Sequence, residues 1–471
     1  MPFNSISYIL FFSLVVTIYY LLNQNYRKHF LLLSSLFFVG YKNIESIYLL
    51  LATILFTYYL AKKIGSTIDI KKRKYLLRLG VFISISTLFL FKYIDIPASF
   101  GFDSNNLIFT LGISFYTLQN ISFLLEVHSN RLKTEYNLID FSVYSTFFPK
   151  FIMGPITIPQ DFLPQINSDK PLSSNLTIGI QRILLGLVKK IAIADSLAEY
   201  VKFNFEKNHT PVGFTALLIS YLFTIQLYFD FSGYSDIALG SAKALGFDLK
   251  ENFNFPLRSK SITEFWRKWH ISLTSWLTKY VFYTVSYRFR KLKKAAIPIA
   301  LLVTFLLSGI WHGVGICFFI YAISHSLYMI IEYFTKSSRL EISTKIPTKI
   351  HTLLSIFITF NLVSLSFVFF RATSINNAFH LIKNVFSFKN FLPTNWKIDV
   401  FEHIAITSDQ FALFNLFLLI ITLSLFLLFE KKIYSIIINP KTNYIFIFIL
   451  ILILMIMGTY SNPEQFIYNR F

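Results

Sequence analysis

Cysteine is almost absent from this chain of 471 residues, which contains Cys317 alone. One cysteine cannot form an internal disulfide, and it cannot supply a cluster of thiolate metal ligands. Cys317 lies in an apolar segment, so we expect it to be a packing residue in a helix. We therefore predict no metal site in this protein.

Charged residues are also scarce, at 14% of the chain, whereas 54% of residues are hydrophobic and phenylalanine occupies 55 positions. A soluble domain carries roughly a quarter charged residues because its surface faces water. The scarcity excludes an ordinary soluble protein and predicts a surface that mostly contacts membrane lipid. We predict an all-α polytopic membrane protein that forms a single domain over residues 1–471.

Acidic residues are fewer than basic ones, 24 against 44, and the net charge is +20. The basic residues are concentrated in alternate connections between apolar runs, which the positive-inside rule explains without a nucleic-acid partner. That rule places residues 62–74 and 247–296 in the cytoplasm and both chain ends outside. Residues 247–296 carry eleven Lys or Arg against three acids. The first run, 5–23, has no basic n-region and no cleavage site, so we expect a retained span.

Prolines interrupt one apolar run, FFPKFIMGPITIP at residues 147–159. Pro149 and the Gly154-Pro155 pair do not suit a continuous helix. Residues 139–158 are one of three apolar runs between two segments that are both predicted to be cytoplasmic. Because the chain must return to the same side, it crosses the membrane an even number of times between them. We predict that this run enters the bilayer without spanning it. Broken backbone at that depth must be shielded by protein or line a wet cavity, so we expect Pro149 and Pro155 to line a central cavity.

Two histidines lie beside or inside long apolar segments: His270 in SITEFWRKWHISL and His312 in LLSGIWHGVG. An ionisable residue in a membrane region is costly and therefore a candidate functional residue. Imidazole suits proton transfer near neutral pH, so the pair indicates acid-base chemistry. The alternatives are a buried structural histidine at 312 and, around 270, an interfacial helix with an aromatic belt and snorkelling cations.

The neighbours of both histidines favour the functional interpretation. Few helix breakers occur around His270, and a continuous helix would place it on the same side as Trp266, Trp269 and Thr274, facing inward. Small residues surround His312, and they allow a backbone or a ligand to approach closely. The residues that we expect to line the site here are Trp266, Trp269, Trp311 and Gly313.

A third polar cluster lies in QLYFDFSGYSDIALG, residues 226–240. Asp230, Ser232, Tyr234 and Asp236 either anchor the end of a helix or line the central cavity. Asp230 or Asp236 is also placed to pair with an arginine or to orient a histidine. The remaining histidines, including His325, have no evident role in this interpretation.

Four motifs in this order resemble the membrane-bound O-acyltransferase family, and in particular its bacterial branch that contains the membrane subunit of alginate O-acetyltransferases. They are FFPKFIMGPITIPQDFLPQI, LYFDFSGYSDIALGSAKALGF, SITEFWRKWHISLTSWL and LLSGIWHG. The resemblance extends over nearly the whole chain. It implies a ring of about 11–13 transmembrane or re-entrant helices around a central tunnel. His312 corresponds to the catalytic histidine of the family, and His270 to a second, associated histidine.

The same resemblance implies transfer of an acyl group, most simply acetyl, from a cytoplasmic thioester such as acetyl-CoA, with no tightly bound cofactor. The acceptor would be a hydroxyl of a cell-surface polysaccharide or of an extracytoplasmic partner transferase. The protein would be located in the inner membrane of a bacterium. The related branch that transfers D-alanine to teichoic acid is an alternative. After His270 the chain reads TKYVFYTVSYRFRK, whereas the alginate branch continues with Arg-Asp-Tyr and a Gly-Gly-Asn-Arg-like turn.

Two other classes of function fit parts of the sequence. A polysaccharide or lipid transporter, or a flippase, also has broken helices and polar groups in the membrane. The absence of an inverted repeat argues against it. A non-catalytic scaffold would tolerate substitution of both histidines. Histidine-dependent transfer of an acyl group separates the enzyme from both alternatives.

Overall fold

The computed structural model describes residues 1–41, 43–92, 112–132, 136–168, 172–206, 213–313, 315–372, 374–387, 410–437, 439 and 444–458. These residues form helices and connecting turns, without any strand among them. A chain that faces lipid must satisfy its backbone hydrogen bonds internally, which a helix does. The predicted class, an all-α polytopic membrane protein, is confirmed.

The helices belong to two compact units. The first comprises Met1–Leu184, Tyr234–Lys250 and Ile437–Thr442. Its helices are α1 (Ile6–Leu21), α2 (Gln24–Gly40), α3 (Glu45–Ser66), α4 (Ile70–Lys92), α5 (Ile113–His128), α6 (Leu138–Thr146), α7 (Phe148–Phe151), α8 (Pro159–Phe162) and most of α9 (Leu172–Leu187). A 3-10 turn follows α8 at Leu163–Gln165.

The second unit comprises Leu185–Gly233, Glu251–Ile436 and Asn443–Phe471. Its helices are α10 (Asp195–Glu206), α12 (Ile262–Lys268), α13 (Ile271–Leu277), α14 (Tyr283–Arg288), α15 (Ala296–His312), α16 (Ile316–Phe334), α17 (Lys336–Lys345), α18 (Thr348–Arg371), α19 (Ile375–Val385), α20 (Gln410–Ile437) and α21 (Tyr444–Met457). Helix α11 (Phe214–Ala244) contributes to both units. Two π-helical turns, Val188–Ala194 and Thr278–Phe282, and two 3-10 turns, Pro256–Arg258 and Arg290–Ala295, complete the second unit.

In the part of the chain that the structure describes, six helical segments are long and apolar enough to cross a membrane: α3, α4, α11, α15 with the turn before it, α16 and α18. Along all of them except α11, large apolar side chains are exposed, which is the expected surface for contact with lipid. In the 18-residue apolar stretch of α4, only 17% of the residues are buried inside the protein, against 61% for α11. Helix α11 is therefore the most enclosed of the six. Cys317 is buried in α16, as predicted.

The segment with the prolines is not a continuous helix. Helix α6 ends at Thr146, and α7 contains only four residues with Pro149 in its first turn. Residues 152–158 then have no regular structure before α8. The break is therefore observed, while entry into the bilayer without crossing it stays a prediction. The sequence also predicts an apolar span at residues 107–126, and the start of that range lies outside the described residues.

The prediction of one continuous helix around His270 is wrong. Helix α12 ends at Lys268, and α13 begins at Ile271. No glycine or proline causes this break. It is caused by hydrogen bonds from a distant loop, described below, that take up the backbone groups of the new helix.

Candidate active site

His270 lies at the turn between α12 and α13, in a left-handed backbone conformation with φ 44° and ψ 51°. This conformation costs an L-residue about 1–2 kcal/mol, and histidine is among the residues that adopt it more often than most. The side chain is buried, with its ring edge-on to Phe231 at 4.7 Å between centroids. Burial lowers the pKa of His270 from 6.5 to about 3, so the imidazole is neutral at neutral pH.

Asn252 holds this turn in place. Its side-chain Oδ1 lies 3.1 Å from His270 Nδ1, and it accepts hydrogen bonds from the backbone N–H of Ser272 at 3.3 Å and from Ser272 Oγ at 2.8 Å. Its backbone carbonyl accepts the N–H of Ile271 at 2.8 Å. These bonds satisfy the first donors of α13, which otherwise have no partner within the helix.

Helix α12 is fixed at its own N-terminus by two carboxylate and hydroxyl caps. Ser261 Oγ accepts the backbone N–H of Glu264 at 3.0 Å. Glu332 of α16 accepts the backbone N–H groups of Ile262 and Thr263 at 2.7 and 3.0 Å. A negative charge at this end also interacts favourably with the helix dipole. The position of His270, which follows α12, is thus fixed by contacts at both ends of that helix.

Trp266 and Trp269 are buried core residues of α12 and its end. Trp269 stacks on Phe265 at 5.4 Å and lies 5.1 Å from Phe253. Trp266 Nε1 donates to His325 Nδ1 at 3.3 Å. His325, which the sequence interpretation set aside, therefore secures the helix that precedes His270.

His312 is the last residue of α15 and is buried among aromatic rings. Its ring lies 4.9 Å from that of Trp311, 5.4 Å from that of Phe370 and 6.2 Å from that of Tyr321. The backbone N–H of Gly313 ends the helix by donating to the carbonyl of Gly309 at 3.1 Å. An imidazole surrounded by apolar rings interacts strongly with any charge that develops beside it, because the local dielectric constant is low.

The glycines near His312 allow two helices to approach each other. A Cβ on Gly309 would lie 2.8 Å from the Cβ of Ala322 and from the carbonyl oxygen of Phe318 in α16. A Cβ on Gly313 would lie 2.4 Å from the ring of Phe318. At Gly315 the nearest atom would be 3.9 Å away. The predicted close approach is therefore that of α16 to α15 at the first two glycines.

Trp311 links the two histidines. Its ring is 4.9 Å from that of His312 and 6.1 Å from that of His270. Residues that are far apart in the sequence thus share one aromatic neighbour in the second unit. This places both imidazoles in one buried environment.

Asp230 of α11 forms part of a buried ion cluster beside this region. Lys190, in the first π-helical turn, lies 2.7 Å from both Asp230 and Asp195. Phe231, the next residue after Asp230, is the one whose ring contacts His270. Asp230 is therefore paired with a lysine, and Ser232, two residues later, is buried.

A second group of polar residues adjoins this cluster. Lys189 Nζ donates to the Tyr434 hydroxyl at 2.7 Å and lies 3.8 Å from the carboxylate of Glu430. The hydroxyl of Tyr228 donates to Glu430 as well. The side chains of Lys189 and Glu430 are almost completely buried. The sequence interpretation missed Lys189, Lys190, Asp195 and Glu430.

The other predicted site residues belong to the first unit. Asp236 is buried, and its Oδ1 accepts from Arg182 Nε and Nη2 at 3.1 and 3.0 Å, so it pairs with an arginine as one interpretation predicted. Tyr234 is buried and stacks on Phe3 at 4.6 Å. Pro149 and Pro155 are buried in the broken segment.

Two of the residues that the sequence interpretation missed could have been recognised from their position in the sequence. Lys189 and Lys190 lie inside an apolar run, where ionisable residues are rare and functional by default. Asn252 gave no such signal, because asparagine is common in loops. Among the described residues, no group of three or more potential His, Cys, Asp or Glu ligands could hold a metal ion.

The helical fold and the apolar surface define a polytopic membrane protein, and two of its histidines are buried beside one tryptophan. The chain belongs to the membrane-bound O-acyltransferase family, whose sequence model matches residues 37–373. It is accordingly an O-acyltransferase, and the predicted family and enzyme class are confirmed.

Relatives in three bacteria illustrate the range of the family. The chain is 33% identical over 399 residues to the probable alginate O-acetylase AlgI of Pseudomonas aeruginosa, covering 80% of this chain and 73% of the relative. It is 30% identical over 364 residues to the peptidoglycan O-acetyltransferase of Helicobacter pylori, covering 70% and 68%. It is 30% identical over 275 residues to the teichoic acid D-alanyltransferase of Bacillus subtilis, covering 56% and 69%.

Proposed function

We propose that this enzyme transfers an acetyl group from a cytoplasmic thioester, such as acetyl-CoA, to a hydroxyl of a cell-surface polysaccharide or of an extracytoplasmic partner transferase. The observation that carries the proposal is the pair of buried histidines around Trp311. The similarity to two O-acetylating relatives over 70–80% of the chain supports acetyl, whereas the similarity to the D-alanyltransferase covers 56%. The enzyme would act in the cytoplasmic membrane, with both chain ends outside.

His312 is the proposed general base. A hydroxyl is a weak nucleophile at neutral pH, so a base must take its proton as its oxygen attacks the thioester carbonyl carbon. The C–S bond then breaks, and His312 returns the proton to the thiolate that leaves. The acyl group thus moves from the donor to the acceptor, and no proton is gained or lost overall.

His270 would act on the same reaction as a second imidazole. The sequence leaves open whether it polarises the carbonyl, orients the donor or relays the proton. Trp266, Trp269 and Trp311, with Gly313, would form the walls around the reacting groups. Asp230, Ser232, Tyr234, Asp236, Pro149 and Pro155 would line the route that substrates take, with Asp230 and Asp236 held by their ion pairs.

A transfer assay with radiolabelled acetyl-CoA tests the proposal. Purified enzyme in lipid vesicles should release thiol and label a polysaccharide acceptor. His312→Ala should reduce the rate about 100-fold to 10,000-fold, the usual contribution of general acid-base catalysis. His351→Ala is the matched control, because His351 lies in the first turn of α18 and is partly exposed. It should keep the wild-type rate.

The outcome depends on folding as well as on chemistry. His312→Ala should remain folded in detergent, with a melting temperature lowered by the loss of a buried ring. A wild-type rate in a folded His312→Ala protein would refute the role of His312. Aggregation of that variant would favour a structural histidine. Transfer of D-alanine from a carrier protein, with acetyl-CoA inactive, would support the teichoic acid branch instead.

A further inference from the structure

We infer that Asn252 is a positioning residue that holds His270 in one tautomer, with the proton on Nδ1 and the lone pair on Nε2. His270 then takes part in the reaction as a hydrogen-bond acceptor. The catalytic meaning of this inference rests on the proposed function. The tautomer itself can be measured without any activity.

The contacts of Asn252 determine which end of its amide faces His270. The backbone N–H of Ser272 can only donate, and it lies 3.3 Å from the Asn252 side-chain atom assigned as Oδ1. That atom must therefore be the oxygen. His270 Nδ1 lies 3.1 Å from the same atom. Because an amide oxygen only accepts, Nδ1 must carry the hydrogen.

Asn252 is itself held firmly. The residue is completely buried, and its carbonyl accepts the N–H of Ile271 at 2.8 Å. Two residues later, the N–H of Asn254 donates to the carbonyl of Lys268 at 2.9 Å. The loop is thus bonded on both sides of His270. These bonds offset the cost of the left-handed backbone and fix the direction of the imidazole.

The tautomer limits the chemistry of His270. A neutral imidazole has one N–H donor and one acceptor nitrogen. Since Nδ1–H is directed at Asn252, Nε2 can accept a hydrogen bond or a proton but cannot donate. Polarising a thioester carbonyl requires a donor. Of the three roles considered above, orienting the donor through one of its N–H or O–H groups and relaying the proton of the acceptor hydroxyl therefore remain.

Other titratable groups lie on the elements that pack against His270. Helix α11 contributes Asp230, paired with Lys190, and α15 contributes His312. Helix α12 contributes Arg267 and Lys268, the latter 2.7 Å from Glu264. The loop of Asn252 contributes Glu251, which is exposed. A test must therefore change the charge at Asn252 while these groups stay the same.

Nitrogen-15 NMR of histidine-labelled enzyme in detergent measures the tautomer directly. The His270 signal is the one missing from His270→Asn. We expect a protonated Nδ1 and an unprotonated Nε2 in the wild type. The opposite tautomer would overturn the inference whatever the activity. The expected tautomer in an enzyme that transfers no acyl group would leave the inference intact and count against the proposed function.

Asn252→Asp adds a titration test. A carboxylate beside Nδ1–H stabilises the imidazolium, and an opposite charge at this range raises a pKa by about 1–3 units. The pH profile of the His270 nitrogen-15 signals should move to higher pH by that amount. Asn254→Asp places the same charge two residues away on an exposed side chain and should leave the His270 profile unchanged. Equal His270 profiles for Asn252→Asp and wild type would contradict the inference.

Asn252→Leu removes the acceptor without adding charge. We expect both tautomers of His270 in its NMR spectrum and a rate lowered by about 100-fold or more, because part of the general catalysis is lost. An unchanged tautomer in this variant would refute the role of Asn252. If the variant fails to fold, the wild-type spectrum and the Asn252→Asp profile still decide the question.

Discussion

Replacing Lys190 with methionine should destabilise the protein far more than removal of an exposed lysine. Lys190 lies 2.7 Å from the carboxylates of both Asp195 and Asp230, and all three side chains are at most 3% exposed. Its loss leaves two buried carboxylates without their common cation. Breaking a buried ion pair by removing one partner costs about 3–5 kcal/mol. We therefore expect Lys190→Met to lower the free energy of unfolding by that amount at pH 7.

Denaturant unfolding in mixed micelles, with Lys243→Met as the control, measures this cost. Lys243 makes an ion pair of nearly the same length, 2.8 Å, with Asp248, whose side chain is 73% exposed. Exposed pairs contribute about 0–1 kcal/mol. A loss in Lys190→Met no larger than that in Lys243→Met would refute the reasoning.

The origin of the cost can be tested in the same assay. Lys190→Met should recover stability relative to the wild type as the pH falls, because protonation removes the unpaired charges. Changing Asp195 and Asp230 to asparagine in the Lys190→Met background should restore most of the loss, since the buried charges are then absent. A triple variant as unstable as Lys190→Met would show that lost packing, not charge, is responsible.

Two further predictions concern the histidine helices. Because the pKa of His270 is about 3 in the folded state and 6.5 as its ordinary value, the unfolded chain binds the extra proton between these values. Stability should fall with decreasing pH by up to about 1.4 kcal/mol per unit in that window, and unfolding curves of His270→Asn should lack this part. Gly309→Ala adds a methyl group where helices already touch, so it should cost about 1–3 kcal/mol, whereas Gly315→Ala should leave the melting temperature nearly unchanged.

Local features of the sequence predicted much of the fold. Long apolar runs predicted the helices, and the Gly154-Pro155 pair predicted a break that the structure contains. His312 is buried, as the structural alternative for this residue had it, while its catalytic role stays a prediction. The predictions of the helices and of the break succeed because apolar length and backbone restriction act over a few neighbouring residues.

The missed features depend on distant residues. The segment FWRKWHIS has no helix breaker, and the turn at His270 is formed by Asn252, 18 residues earlier. Lys189 donates a hydrogen bond to Tyr434, which lies 245 residues later in the sequence. No local pattern reports such pairings, because tertiary contacts override helix propensity.

The left-handed turn at His270 also bears on how this position can evolve. Asparagine and aspartate adopt positive φ more readily than most residues, and each is reached from a histidine codon by a single base change. A lineage that lost the imidazole here could therefore keep the turn, and with it the placement of the following helix. β-Branched residues would lose both. Substitutions at this site are therefore expected to be mainly among His, Asn and Asp. The imidazole could then be lost in evolution while the main-chain turn is kept.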